Sequence, residues 1–186
     1  DTTKNIRTLE NEAKRVSREN AKLRDDGCLL FSGSGNMRNY DTKTAMPWYR
    51  YADQIESVRI EEGVTSVGNN AFYGMPKLKM VTMADTVRTI GEYAFKNCEA
   101  LEEVTLSAKL SRLGESAFYS CSSLKEITLP KGLYTVWAYT FKNCTSLARV
   151  SLPSTLIKLD EAAFYGCSSL TSIELPANCS IVGAYC

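Results

Sequence analysis

Five phenylalanines, Phe72, Phe95, Phe118, Phe141 and Phe164, stand 23 residues apart without an insertion. A fixed period of this length marks a chain built from stacked copies of one small unit, and it constrains the fold more than any other feature of the sequence. Each Phe follows a small residue (Ala71, Ala94, Ala117, Thr140, Ala163), and three residues later comes Met75, Cys98, Cys121, Cys144 or Cys167. Other apolar columns keep the same register: Leu78, Leu101, Leu124, Leu147 and Leu170, then Val81, Val104, Ile127, Val150 and Ile173. The repeated L-x-x-[VI]-x-L segment predicts a strand with alternating inward and outward side chains. A second short extended piece, L-x-x-[IV]-G, and a helical or 3₁₀ turn carrying A-F-x-x-C complete the unit. No single unit can bury its apolar edge, so the units must stack and share a core. Pro130, Pro153 and Pro176 fall just past the strand, and Gly68, Gly91 and Gly114 mark the turn after the second piece. Trp137 and Asp160 replace glycine in that column, so a positive φ is not obligatory there.

Composition narrows the chemistry. The chain has no histidine, which removes Ser-His and Cys-His catalysis and histidine-ligated metals. A formal net charge of +1 gives no general attraction to nucleic acid or acidic membranes. No apolar run is long enough for membrane insertion. An enzyme would need a Lys, Tyr or carboxylate pair in a cleft, and the alternating charges along the strands supply none. No catalytic residue, metal or cofactor is expected. Of seven cysteines, Cys98, Cys121, Cys144 and Cys167 share one column with Met75. A methionine in that position argues for a buried, polarizable side chain, with no bridge or ligand required. Cys179 also points inward, leaving Cys28 and Cys186 to be exposed. Gly33-Ser34-Gly35 lacks the residues a nucleotide loop needs and is expected to be a hairpin turn. Tyrosines alternate between two places beside the Phe column, with Lys96 and Lys142 in the vacated slots, which predicts lysines packed between tyrosine rings.

These residues resemble the BspA-like leucine-rich repeats, a 23-residue class found in bacterial and some protozoan surface proteins. The resemblance runs from about Leu29 to Cys186. Leu29 to Gly35, Tyr40-Asp41, Pro47-Trp48-Tyr49 and Gln54 to Val58 look like that family's N-terminal cap. The resemblance implies a leucine-rich repeat solenoid, and a non-enzymatic, cell-surface or secreted binding module, often an adhesin that recognises host matrix proteins or other bacteria. Residues 27–54 would form the cap and 55–186 the repeats, the sixth unit being cut short at Cys186.

Residues 1–26 lie outside the repeat and carry 7 basic and 6 acidic side chains. Ile6, Leu9, Ala13, Val16, Asn20 and Leu23 follow a 3-4-3-4-3 spacing, the seam of a coiled coil, which predicts an N-terminal α-helix. That helix would dimerise, giving a homodimer, pack against the cap, or remain loosely attached. An intracellular scaffold in the cytoplasm that assembles through this helix is the alternative to the surface protein.

The outward positions of the strands are free of core duty and make a continuous surface for a protein ligand. The middle column reads Arg59, Thr82, Thr105, Thr128, Ser151 and Glu174, a ladder of hydroxyls with charged ends. Glu103, Glu126 and Arg149 flank it. Mixed and polar, this face suits another protein or an extended peptide, and no deep apolar pocket is expected on it.

Overall fold

The computed structural model describes residues 18–186, with side chains from residue 21 onward. It begins with an antiparallel hairpin, β1 (Arg18–Leu23) against β2 (Cys28–Asn36). Each of the next five units then contributes one strand to each of two parallel columns of strands, and the sixth contributes one to the second column alone. The first ladder runs β3 (Ser57–Ile60), β5 (Met80–Met83), β7 (Glu103–Thr105), β9 (Glu126–Thr128) and β11 (Arg149–Ser151). The second runs β4 (Val64–Val67), β6 (Thr89–Ile90), β8 (Arg112–Leu113), β10 (Thr135–Val136), β12 (Lys158–Leu159) and β13 (Ile181–Val182). β2 is long enough to start both: Cys28 to Phe31 pairs with β3, and Gly35–Asn36 pairs with β4 across a register shift.

The register follows the sequence period, for Val58 stands beside Val81 and Val81 beside Val104. Between the ladders lie the inward columns. The phenylalanines form a stack with neighbouring ring centroids 5.2–5.6 Å apart and planes within 11° of parallel. Identical rings end up face to face because a parallel ladder places the same residue of each unit directly over the last. Trp48 and Phe31 close the N-terminal end of this stack. Trp48 lies on Phe72, Phe31 meets both rings edge-on, and the Trp48 indole N–H donates to the Ala71 carbonyl at 2.8 Å. Two 3₁₀ turns, Lys43–Ala45 and Tyr49–Gln54, carry the chain round this cap.

The turns depend on left-handed residues the sequence does not advertise. The residue two before each Phe has φ of 50–58°, although it is Asn70, Tyr93, Ser116, Tyr139 or Ala162. Glycine at 68, 91 and 114 has no positive φ; it answers a close approach instead. A Cβ at Gly114 would lie 2.5 Å from the backbone nitrogen of Glu92 in the preceding unit.

The N-terminal helix is not formed where the chain is described. Asn20 and Leu23 belong to β1, opposite Ser32 and Leu29, so neither sits on a helical seam. Ile6, Leu9, Ala13 and Val16 lie outside the described residues. The hairpin wins because β2 offers an open edge and Asp25-Asp26-Gly27 supplies the turn. Gly27 takes φ of 78°, its N–H reaches the Arg24 carbonyl at 3.1 Å, and Asp26 accepts from the Cys28 N–H at 3.0 Å. Gly33-Ser34-Gly35 is consequently no turn; it lies inside β2, where the strand passes from one ladder to the other. Deleting residues 1–23 uncovers six paired positions of β2. The truncated chain should aggregate in light scattering and melt at least about 5 °C lower, since an exposed edge is a template for pairing. A monomer with unchanged melting temperature would show that β1 contributes nothing.

Candidate functional site

The outward face of the first ladder carries the predicted residues. Arg59, Thr82 and Thr105 stand side by side in β3, β5 and β7, and Thr128 stands beside Ser151 in β9 and β11. Thr82 is half-buried and the others are exposed. Glu174 is exposed but lies outside any strand, because residues 172–174 do not join the ladder. Glu103, Glu126 and Arg149 are also exposed.

Much of the charge on this face is answered within it. Lys79 donates to Glu56 at 3.0 Å, Lys125 pairs with Glu102, and Arg149 pairs with Glu126. Each pair joins residues 23 apart, so it bridges neighbouring units. The hydrogen bond and charge of Lys125 hold the Glu102 carboxyl below its ordinary range, and Glu102 raises the Lys125 ammonium in return. Exposed pairs of this kind add little stability, but they leave the hydroxyl column as the neutral centre of the face.

The face is less uniform than its sequence implies. A hollow of about 740 Å³ spans β7, β9 and the segment after β11, and Thr105, Thr128 and Ser151 line it. A second, of about 640 Å³, extends from β9 to residues 172–176 and includes Thr128, Ser151, Glu174, Glu126 and Arg149. The site residues that sequence reasoning missed are Leu106, Leu129 and Leu152, with Pro130 and Pro153. They belong to columns read as core or turn, and Leu106 and Leu152 are only half-buried. The one available signal was the proline column, which begins at Pro130.

Elsewhere the side chains serve the stack. Lys96 lies 4.7–6.0 Å from the ring centres of Tyr73, Tyr93 and Tyr119, and Lys142 lies 5.1–5.9 Å from those of Tyr119, Tyr139 and Tyr165. Among the described residues no three His, Cys, Asp or Glu side chains gather as a metal-holding group, and no helix is long and apolar enough to cross a membrane.

All seven cysteines are free, and Cys28, expected at the surface, is buried at the start of β2. The column thiols have a task beyond filling space. Cys98, Cys121, Cys144 and Cys167 donate to the carbonyls of Phe72, Phe95, Phe118 and Phe141 at 3.0–3.2 Å, tying each turn to the one before. Burial pushes the Cys98 thiol up to about 12 and the Cys167 thiol to about 11, and drives Cys121 and Cys144 well above the ordinary range. An unfolded thiol ionises near 9.0 while the folded one resists, so their contribution is intact below pH 8 and lost as pH rises. The loss should reach about 1.4 kcal/mol per thiol at pH 10. Replacing Cys121 by Met, the residue native to this column at position 75, should reduce the fall in urea-measured stability between pH 7 and pH 10 by that amount. An identical fall in both proteins would contradict it.

Known proteins place this architecture. A leucine-rich cell surface protein from Faecalibacterium prausnitzii matches with a TM-score of 0.69 and 28% identity over 91% of this chain and 50% of its own. A leucine-rich repeat protein from Bacteroides ovatus matches with a TM-score of 0.71 and 27% identity over 92% of this chain and 49% of its own. The chain thus spans about half the length of each. The leucine-rich repeat protein of T. pallidum, at 24% identity, a TM-score of 0.55 and 90% and 84% coverage, shares the fold. No curated protein matches the chain. The sequence profile of the BspA type leucine rich repeat region matches six copies, over residues 45–144 and 124–186. A profile that covers most of the sequence, on a solenoid with the same 23-residue register, shows that this chain belongs to the BspA-type leucine-rich repeat family.

Proposed function

We propose that this protein is a non-catalytic binding module, displayed on a cell surface or secreted, that recognises proteins of a host or of neighbouring cells. The observation that carries this reading is the column Arg59, Thr82 and Thr105, aligned in one run of paired strands, with Thr128 and Ser151 aligned in the next. Such a face fits a protein surface because it is broad, neutral at its centre and already positioned, so little order must be imposed on binding. The surface location rests on the family and on the description of the Faecalibacterium prausnitzii protein as a cell surface protein. Glu174, Glu103, Glu126 and Arg149 form the charged margin of the proposed site and would set orientation more than affinity. Of the seam on which the scaffold reading rests, Asn20 and Leu23 stand in a strand and the other four residues lie outside the described ones.

An array of matrix and cell-surface proteins, with a glycan array beside it, tests the proposal on the full chain. Saturable binding to one or a few proteins is expected. Binding confined to glycans, or none to either array, would overturn it.

A further inference from the structure

Both ladders stop at the same place. β3, β5 and β7 form one continuous ladder and β4, β6 and β8 another, yet β7 is not paired with β9, nor β8 with β10. The break therefore separates the third unit, residues 103–125, from the fourth, residues 126–148. On the turn side the two units stay tied. Ser116, Phe118 and Ser120 N–H groups donate to the carbonyls of Ala138, Thr140 and Lys142 at 3.1, 2.9 and 2.8 Å. Phe118 and Phe141 remain stacked, at 5.6 Å the widest spacing in the phenylalanine stack. The joint is closed at the turns and unpaired between β7 and β9 and between β8 and β10, although just ahead of the strands the Lys125 N–H still reaches the Glu102 carbonyl at 3.4 Å.

Two residue changes meet here. Ala84 donates its N–H to the Ile60 carbonyl at 2.9 Å, extending the first ladder past the strand. Pro130 occupies the equivalent position and has no N–H to give. In the other ladder Trp137 replaces the column glycine, where a Cβ meets the backbone of the preceding unit. Asp160 also carries a Cβ there, yet its N–H still reaches the Val136 carbonyl at 2.8 Å. Neither a proline at 153 nor a Cβ at 160 opens its joint; the third-to-fourth joint combines proline with the bulk of tryptophan. Its opening leaves Val104 and Leu106 half-buried, where Val81 and Met83 are buried. The larger hollow lies over this break, and the smaller reaches the second place where the first ladder fails, beside residues 172–174.

We propose that the joint between the third and fourth units is an anchoring groove for an extended peptide segment of a partner protein, one that presents a bulky apolar side chain among uncharged neighbours. This rests on the reading of the sheet face as a protein-binding surface and says where on it the partner is held. The lining dictates the occupant. Leu106, Leu129 and Leu152 with Pro130 and Pro153 form an apolar floor, and the hydroxyls of Thr105, Thr128 and Ser151 line the same hollow. Its charged members are Lys131 and Glu126, and Arg149 answers Glu126. A charged side chain would lose hydration against that floor, whereas an apolar one gains by burial. An extended backbone suits it because the hollow crosses three units, roughly 10 Å of stack at the spacing of strands.

The test is selection of a random dodecapeptide library on the immobilised full chain, followed by anisotropy titration of the enriched peptides after fluorescein labelling. Enriched peptides should carry a bulky apolar residue flanked by uncharged ones. Thr128→Trp and Ser151→Trp, exposed positions that fill the hollow, should each weaken binding at least tenfold, whereas Arg59→Trp in the first unit should change it less than twofold. Pro130→Ser with Trp137→Gly, the residues of the closed joints, should weaken binding and slow amide exchange in residues 103–105 and 126–128. If that double variant does not fold, the two tryptophan variants decide alone. Peptides enriched in charge, peptides lost on Arg59→Trp but indifferent to Thr128→Trp, or no enrichment at all would overturn the groove while leaving a protein-binding face intact. Binding of both array-identified proteins and peptides that no face variant alters would overturn the face as well.

Discussion

Phe118→Ala should destabilise the protein by about 3–5 kcal/mol, the range for removing a fully buried aromatic ring. Phe118 is completely buried between Phe95 at 5.2 Å and Phe141 at 5.6 Å. The site has little freedom to collapse, because its backbone is pinned from both sides. Phe95 N–H donates to the Ala117 carbonyl at 2.8 Å, and Phe118 N–H to Thr140 at 2.9 Å. Phe164 is the terminal ring of the stack, so Phe164→Ala should cost clearly less. Urea denaturation of both variants measures the difference. Equal losses, or a loss below about 1.5 kcal/mol at position 118, would mean that the stack is not the organising core.

The double variant Thr105→Arg, Thr128→Arg should abolish partner binding and leave the fold nearly untouched. Both side chains point to solvent from the same column, and each lines the larger hollow. Two guanidinium groups would occupy the neutral centre of the face, where a partner matched to hydroxyls meets bulk and unpaired charge. Affinity should fall at least about 100-fold, the scale of losing a central contact region, while stability changes by no more than about 0.5 kcal/mol per substitution. Isothermal titration and thermal melts on the same samples check both halves. A large drop in melting temperature would mean these positions carry core packing, and unaltered affinity would move the site off this face.

What the sequence made legible was whatever the 23-residue period governs. The period predicts which columns face inward, and Phe95, Phe118, Leu101 and Leu124 are fully buried as it requires. The thiol column was legible as buried, though its bonds to the Phe carbonyls needed the turn geometry. Residues 18–23 were misread because helical spacing and strand alternation both fit so short a stretch. The arbiter was the unpaired edge of β2 some ten residues on, a tertiary effect that local pattern does not encode. Asp26-Gly27 was the sequence signal for the hairpin. The open joint was illegible for a different reason. Pro130 and Trp137 each look like ordinary variation within a column, and only the loss of both ladders at one level shows their joint effect.

That joint also bears on how the protein would yield to a pull. Each unit holds chiefly to its two neighbours, so tension along the stack meets a row of small clasps in series, and the clasp between the third and fourth units lacks strand pairing in both ladders. A chain stretched from its two ends should part there first, splitting into two shorter stacks before either unravels. Every unit freed afterwards would pay out roughly 75 Å of slack, the reach of 23 extended residues. In a force-extension trace this gives one early, low rupture followed by evenly spaced steps.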